Sequence, residues 1–104
     1  MRKASTPERA FHFQQIPCVG PRVAGDFAVL GLRSPQDLKD KDPYELYETL
    51  CRKTKTRHDP CLLDTFICAV YFMDGKGSKP WWFFTPQRKR SPKWLNSPLN
   101  IARK

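Results

Sequence analysis

The chain has 104 residues, 39% of them hydrophobic, which allows one domain and excludes a second independent core. Ten prolines and five glycines exclude long rods, and a net charge of +9 favours a polyanionic partner, nucleic acid foremost. The start, Met1-Arg2-Lys3-Ala4-Ser5-Thr6, is polar and no apolar stretch of signal or membrane-spanning length follows. The expected setting is therefore cytoplasmic, without a membrane partner and with Cys18, Cys51, Cys61 and Cys68 reduced.

Thr6-Pro7-Glu8 has the form of an N-cap, a first-turn proline and a first-turn acid. It predicts a helix from Pro7 to about Gln15, anchored by Ala10, Phe11 and Phe13 and stopped by Pro17. Gly20-Pro21 restarts a helix through Leu30, with Val23, Ala24, Phe27 and Leu30 on one face and Gly31 as its C-terminal cap. Ser34-Pro35 starts a short third helix through Leu38 and Lys39. Asp42-Pro43 starts a fourth from Tyr44 to about Lys53, burying Leu46, Tyr47 and Leu50. Asp59-Pro60 starts the fifth, which ends near Met73 and is apolar almost all round from Phe66, as a central helix is. The fold class is all-α, with about five short helices over residues 1–75.

Residues 76–104 read as a basic, aromatic tail. They hold Lys76, Lys79, Arg88, Lys89, Arg90, Lys93, Arg103 and Lys104 and no acid, whereas residues 1–75 hold 11 Lys/Arg against 10 Asp/Glu. Gly75 to Pro80 reads as a linker, and Trp81, Trp82, Phe83 and Phe84 are expected to dock on the helices, leaving Gln87 onward mostly mobile.

The chemistry concentrates at Ile16-Pro17-Cys18-Val19-Gly20-Pro21-Arg22-Val23-Ala24. An apolar residue, a tight turn ending in glycine and a proline-initiated helix with a small residue in fourth place make the helix-hairpin-helix pattern, expected over Gln14 to Leu32 in a compact, SAM-like domain. The second helix then presents unpaired N–H groups and a partial positive charge. Gly20 lets a phosphate approach, and Arg22 adds a charge-assisted contact. Contact to phosphate alone carries no base specificity. The DNA contacts expected here are Cys18, Val19, Gly20, Arg22 and Val23; the same surface is open to protein contact instead.

Gly31-Leu32 followed by Ser34 and Asp37-Leu38 extends the pattern. With Asp42-Pro43-Tyr44-Glu45-Leu46-Tyr47, Leu50-Cys51, Asp59-x-Cys61 and Cys68-Ala69-Val70-Tyr71-Phe72, the chain resembles the small bacterial pathogenicity-locus family, also described as mitomycin-resistance-type proteins. The resemblance runs from about Ile16 to Phe72, and Trp81-Trp82 echoes a tryptophan pair in that family. It implies a helix-hairpin-helix fold and no established activity. Cys18 departs from it, standing where such turns usually carry glycine. The resemblance also implies that main-chain carbonyls of the turn hold a monovalent cation, here those of Gln14, Ile16 and Val19.

Elsewhere, Cys51, His58, Cys61 and Cys68 lack the paired spacing of a structural zinc site, and buried thiols account for them better. The loop Arg52-Lys53-Thr54-Lys55-Thr56-Arg57-His58 is either a solvated surface loop or a second, degenerate hairpin contacting phosphate through Arg57. Arg88, Lys89, Arg90 and Lys93 form a basic arm that adds salt-sensitive affinity for any polyanion. Trp94 either stacks on a base or packs on the core, the second being favoured. Asp37, Asp40, His12 and His58 form no catalytic grouping, so no enzyme is expected. The expectation is a non-specific binder of DNA, duplex by preference, needing no cofactor beyond that cation; the alternative is a protein-interaction module.

Overall fold

Proline and aspartate punctuation sets the helices in place. In the computed structural model, which describes residues 2–100, the α-helices are α1 (Pro21–Val29), α2 (Pro43–Thr54), α3 (Pro60–Met73), α4 (Thr85–Arg90) and α5 (Pro92–Leu95). Four 3₁₀ turns join them, at Pro7–Arg9, Phe13–Gln15, Pro35–Leu38 and Trp81–Phe84, and no strand occurs among the described residues. The Asp42 carboxylate accepts from the Tyr44 N–H at 2.9 Å and the Asp59 carboxylate from the Cys61 N–H at 2.8 Å, capping α2 and α3 as their sequences predict.

The three longest helices close in the same way. After α1 the Leu32 N–H bonds the Phe27 carbonyl and the Gly31 N–H bonds that of Ala28, with Gly31 at φ 85°. Gly75 ends α3 with the same pair of bonds at φ 81°. At the end of α2 the left-handed position belongs to Lys55, at φ 54°. That conformation costs a side-chain-bearing residue about 1–2 kcal/mol, against about 0.4–1 kcal/mol for the extra freedom glycine has when unfolded. Lys55→Gly is therefore expected to raise stability by about 0.5–1 kcal/mol in urea unfolding.

The core is built on α3, where Leu63 to Val70, Phe72 and Met73 are all buried. Phe27 of α1 packs between Phe66 of α3, at 5.0 Å between ring centres, and Phe13, at 5.1 Å. These contacts hold α1 and the Phe13–Gln15 turn against the central helix.

Two expectations are corrected. No continuous helix spans Pro7 to Gln15. Ala10 and His12 are extended, and the Gln15 side-chain oxygen accepts the Phe11 and His12 N–H groups at 2.8 and 2.9 Å, satisfying donors that a helix would have used. Phe11, expected as an anchor, is 73% exposed, while Ala10 is in the core.

The second correction is the segment after Gly75, which is not a free arm from Gln87 onward. Phe84 is buried edge-on to Tyr71 at 5.0 Å. The buried Arg88 donates to the fully buried Asp64 through Nε at 2.8 Å and Nη2 at 3.2 Å, and Thr85 Oγ1 donates to the same carboxylate at 2.7 Å. Trp94 is buried against Tyr47 and under the Arg88 guanidinium, 5.1 Å from its ring centre. Of the aromatic cluster only Phe84 docks fully: Trp81, Trp82 and Phe83 are 39%, 62% and 49% exposed. Arg103 and Lys104, counted in the tail's charge, lie outside the described residues.

Candidate nucleic-acid interface

The turn before α1 is held from inside by Ile16 and Val19, both fully buried. The Val19 N–H bonds the Ile16 carbonyl at 2.9 Å, closing a four-residue turn with Pro17 and Cys18 at its centre. Cys18 is not among the residues with positive φ, so cysteine is accommodated here without the left-handed backbone that favours glycine. Its thiol turns inward, toward the Thr65 carbonyl at 3.9 Å. A hydrogen bond with the Cys68 thiol and burial both push the Cys18 thiol pKa up, so it stays protonated.

Gly20 is the N-cap of α1 at φ −99°, ψ −174°, an extended conformation open to any residue. No side chain among the described residues caps the helix, and its first turn carries no acid. The leading N–H groups at Arg22 and Val23 thus lack the side-chain acceptor that α2 and α3 possess. A Cβ built on Gly20 would meet nothing within 4 Å, so the approach to these groups is open. Arg22 is exposed and Val23 half-buried beside them.

One turn further along α1, Asp26 is half-buried, with Oδ2 shielded from solvent and without a hydrogen-bond partner among the described residues. Burial raises its carboxyl pKa, and the nearby charges of His58 and Arg22 work against that rise. His58 stands in the loop before α3 and Arg22 in the first turn of α1. Lys53, at the end of α2, also reaches the Val29 carbonyl of α1 at 3.4 Å.

Cys18, Gly20, Arg22 and Val23 are therefore together, but Val19 is corrected as a DNA contact, since it is fully buried, its N–H bonds the Ile16 carbonyl and its own carbonyl accepts from Lys3. The other expected contacts divide. Lys89 and Arg90 are exposed on α4, and Arg57 donates through Nε to the Leu99 carbonyl at 2.8 Å. Arg57, Arg88 and Lys89 line one cleft with Trp94. Arg88 is corrected as a DNA contact, since Asp64 neutralises it in the interior. Lys93 is corrected as a free cation, since its ammonium pairs with Asp42, which raises the lysine's pKa.

The expected cation site is corrected most clearly. The Gln14, Ile16 and Val19 carbonyls do converge, but on the Lys3 ammonium, whose Nζ donates to them at 2.7, 3.3 and 2.7 Å. A free ion does not fit there with Lys3 in place. Among the described residues no three His, Cys, Asp or Glu side chains gather as a metal site, and no helix is long and apolar enough to cross a membrane.

The local pattern does not mark four further cations that line clefts near the turn. Arg2, Lys3 and Arg9 line one cleft with Gln15, and Lys79 lines another with Pro17, Cys18, Trp81 and Trp82. The cluster of bases before Pro17 was the available signal. Its proximity to the turn is set by the Ala4 N–H, which bonds the Gln15 carbonyl at 2.7 Å.

Comparison with known proteins agrees with the resemblance noted from the residues. Residues 6–90 match the family described as "Cdd1: Pathogenicity locus". The chain is 46% identical over 72 residues, 69% of each chain, to "Mitomycin resistance protein McrB" of Streptomyces lavendulae. No solved structure matches. A shared profile across most of its length, ending at the last residue of α4, shows that the chain belongs to the Cdd1 pathogenicity-locus family.

Proposed function

We propose that this chain is a non-enzymatic accessory protein that binds DNA through its phosphates, without sequence preference, using a helix-hairpin-helix-type turn at the start of α1. The observation that carries the reading is the uncapped, acid-free start of α1 behind an unobstructed Gly20, with Arg22 exposed in its first turn, Lys79 lining a cleft with Pro17 and Cys18, and Arg2 and Arg9 lining another with Gln15. A phosphate there accepts the free N–H groups and meets the helix's partial positive charge. Exposed Lys89 and Arg90 extend the positive surface. The name of the Streptomyces relative suggests mitomycin resistance as the setting in which to look for the role.

Gly20→Ala tests the reading cleanly. The new methyl group meets no protein atom within 4 Å and the backbone is unstrained, so the fold tolerates it at the cost of a slightly weaker cap. A phosphate seated on the turn would collide with it. Binding of a labelled random duplex, followed by anisotropy at low salt, should weaken about tenfold, equivalent to roughly 1.4 kcal/mol. Undiminished binding by Gly20→Ala removes the turn from the interface, and an unbound parent protein at low salt sinks the nucleic-acid reading.

The exposed Trp81, Trp82 and Phe83 favour a second reading, a protein-interaction surface. Under that reading the parent protein leaves a labelled duplex unbound even at low salt.

A further inference from the structure

Lys3 is the unusual cation of this molecule. Its three N–H donors are matched by three neutral backbone carbonyls, those of Gln14, Ile16 and Val19, and no carboxylate among the described residues takes part. The arrangement is built by two consecutive tight turns. The 3₁₀ turn Phe13–Gln15 and the Ile16–Val19 turn reverse the chain twice within seven residues, and the reversals aim carbonyls of both at one point. The lysine is delivered from outside the turn by its neighbour Ala4, which is buried and bonded through its N–H to the Gln15 carbonyl. Converging neutral carbonyl oxygens are also the ligand set that replaces the hydration shell of a monovalent metal ion.

We propose that Lys3 is a built-in cation: its ammonium occupies a carbonyl cage that becomes a binding site for free potassium or sodium when the lysine is removed. The positive charge that keeps three carbonyl dipoles pointing together is then part of the chain. The turn holds its shape whatever ions surround it, and the N-terminal segment is fastened to it by the same contact. The inference does not depend on the nucleic-acid reading, because its readout is the stability of the protein alone.

The test compares the full-length parent with Lys3→Ala by thermal unfolding in choline chloride and in potassium or sodium chloride at equal ionic strength. The parent should melt at the same temperature in all three. Lys3→Ala should melt about 5–10 °C lower in choline, the effect of losing about one charge-assisted bond. It should recover saturably as potassium or sodium replaces choline. An unaltered melting temperature in choline overturns the proposal, and so does a destabilised variant that neither ion rescues. If Lys3→Ala does not fold, the parent still decides: the ¹⁵N signal of the Lys3 ammonium should exchange slowly with water near neutral pH, equally in choline and potassium. A freely exchanging ammonium, or one displaced by potassium, overturns the idea.

Discussion

Arg88→Met is expected to destabilise the protein by about 3–5 kcal/mol, because it strands the Asp64 carboxylate in the core. Asp64 is fully buried on α3, and its three hydrogen bonds come from Arg88 and Thr85. Removing the guanidinium leaves one hydroxyl to offset the desolvation of a full charge. It also removes the cation that lies over Trp94. A small domain has about 5–15 kcal/mol of stability in total, so the change approaches global unfolding. Equilibrium urea unfolding measures it directly. Adding Asp64→Leu to Arg88→Met should recover most of the loss, because an ion pair replaced whole by apolar groups costs little. If Arg88→Met unfolds like the parent, the segment beyond Gly75 is not part of the folded unit. By the same argument, cutting the chain after Gly75 would remove Phe84, Arg88 and Trp94 from the core. A truncated chain therefore confounds missing charge with missing structure, and point substitutions are the sounder probe of binding.

The second large effect concerns the cations around the turn. Combined replacement of Arg2, Arg9, Arg22 and Lys79 by alanine should weaken duplex binding at low salt by on the order of 100-fold or more. Every DNA phosphate left without its cation should lower the log–log dependence of affinity on salt by about 0.9. These residues line the clefts beside the turn or stand exposed on α1, so their removal leaves the core intact. Lys93→Ala is the matched control. Its charge is already paired with Asp42, so its removal should leave the salt dependence nearly unchanged. Titrations across a range of potassium chloride concentrations give affinity and slope together. A fourfold variant with the parent's slope would rule out this surface, and a Lys89→Ala/Arg90→Ala protein that loses the slope instead would assign the grip to α4.

Much of the fold was legible along the chain, and for local reasons. Asp42-Pro43 and Asp59-Pro60 name the starts of α2 and α3, because the aspartate caps and the proline occupies a position whose N–H is unused. Gly31 and Gly75 name the ends of α1 and α3 by their left-handed backbone. Lys55 was not legible as a helix end, since nothing about lysine marks that conformation. Pro7 to Gln15 failed for a related reason: its apolar spacing suits a helix, but Gln15 turns its side chain back on Phe11 and His12. The turn at Pro17 to Gly20 was found from its residues because glycine before proline is a local signature. The inward turn of the Cys18 thiol depends on Thr65 and Cys68, some fifty residues away.

Local sequence sets where the main helices begin and which helix is central. Those properties follow from neighbours along the backbone, through capping, proline geometry and apolar periodicity. Only folding in three dimensions decided which charges are free. Arg88, Lys93 and Lys3 are indistinguishable by type from Lys89, Arg90 and Arg22. Yet Arg88 is neutralised by Asp64, Lys93 by Asp42, and Lys3 is spent on three turn carbonyls, whereas the others face solvent. A charge is available to a partner only if no group elsewhere in the chain has claimed it, and that is settled by packing.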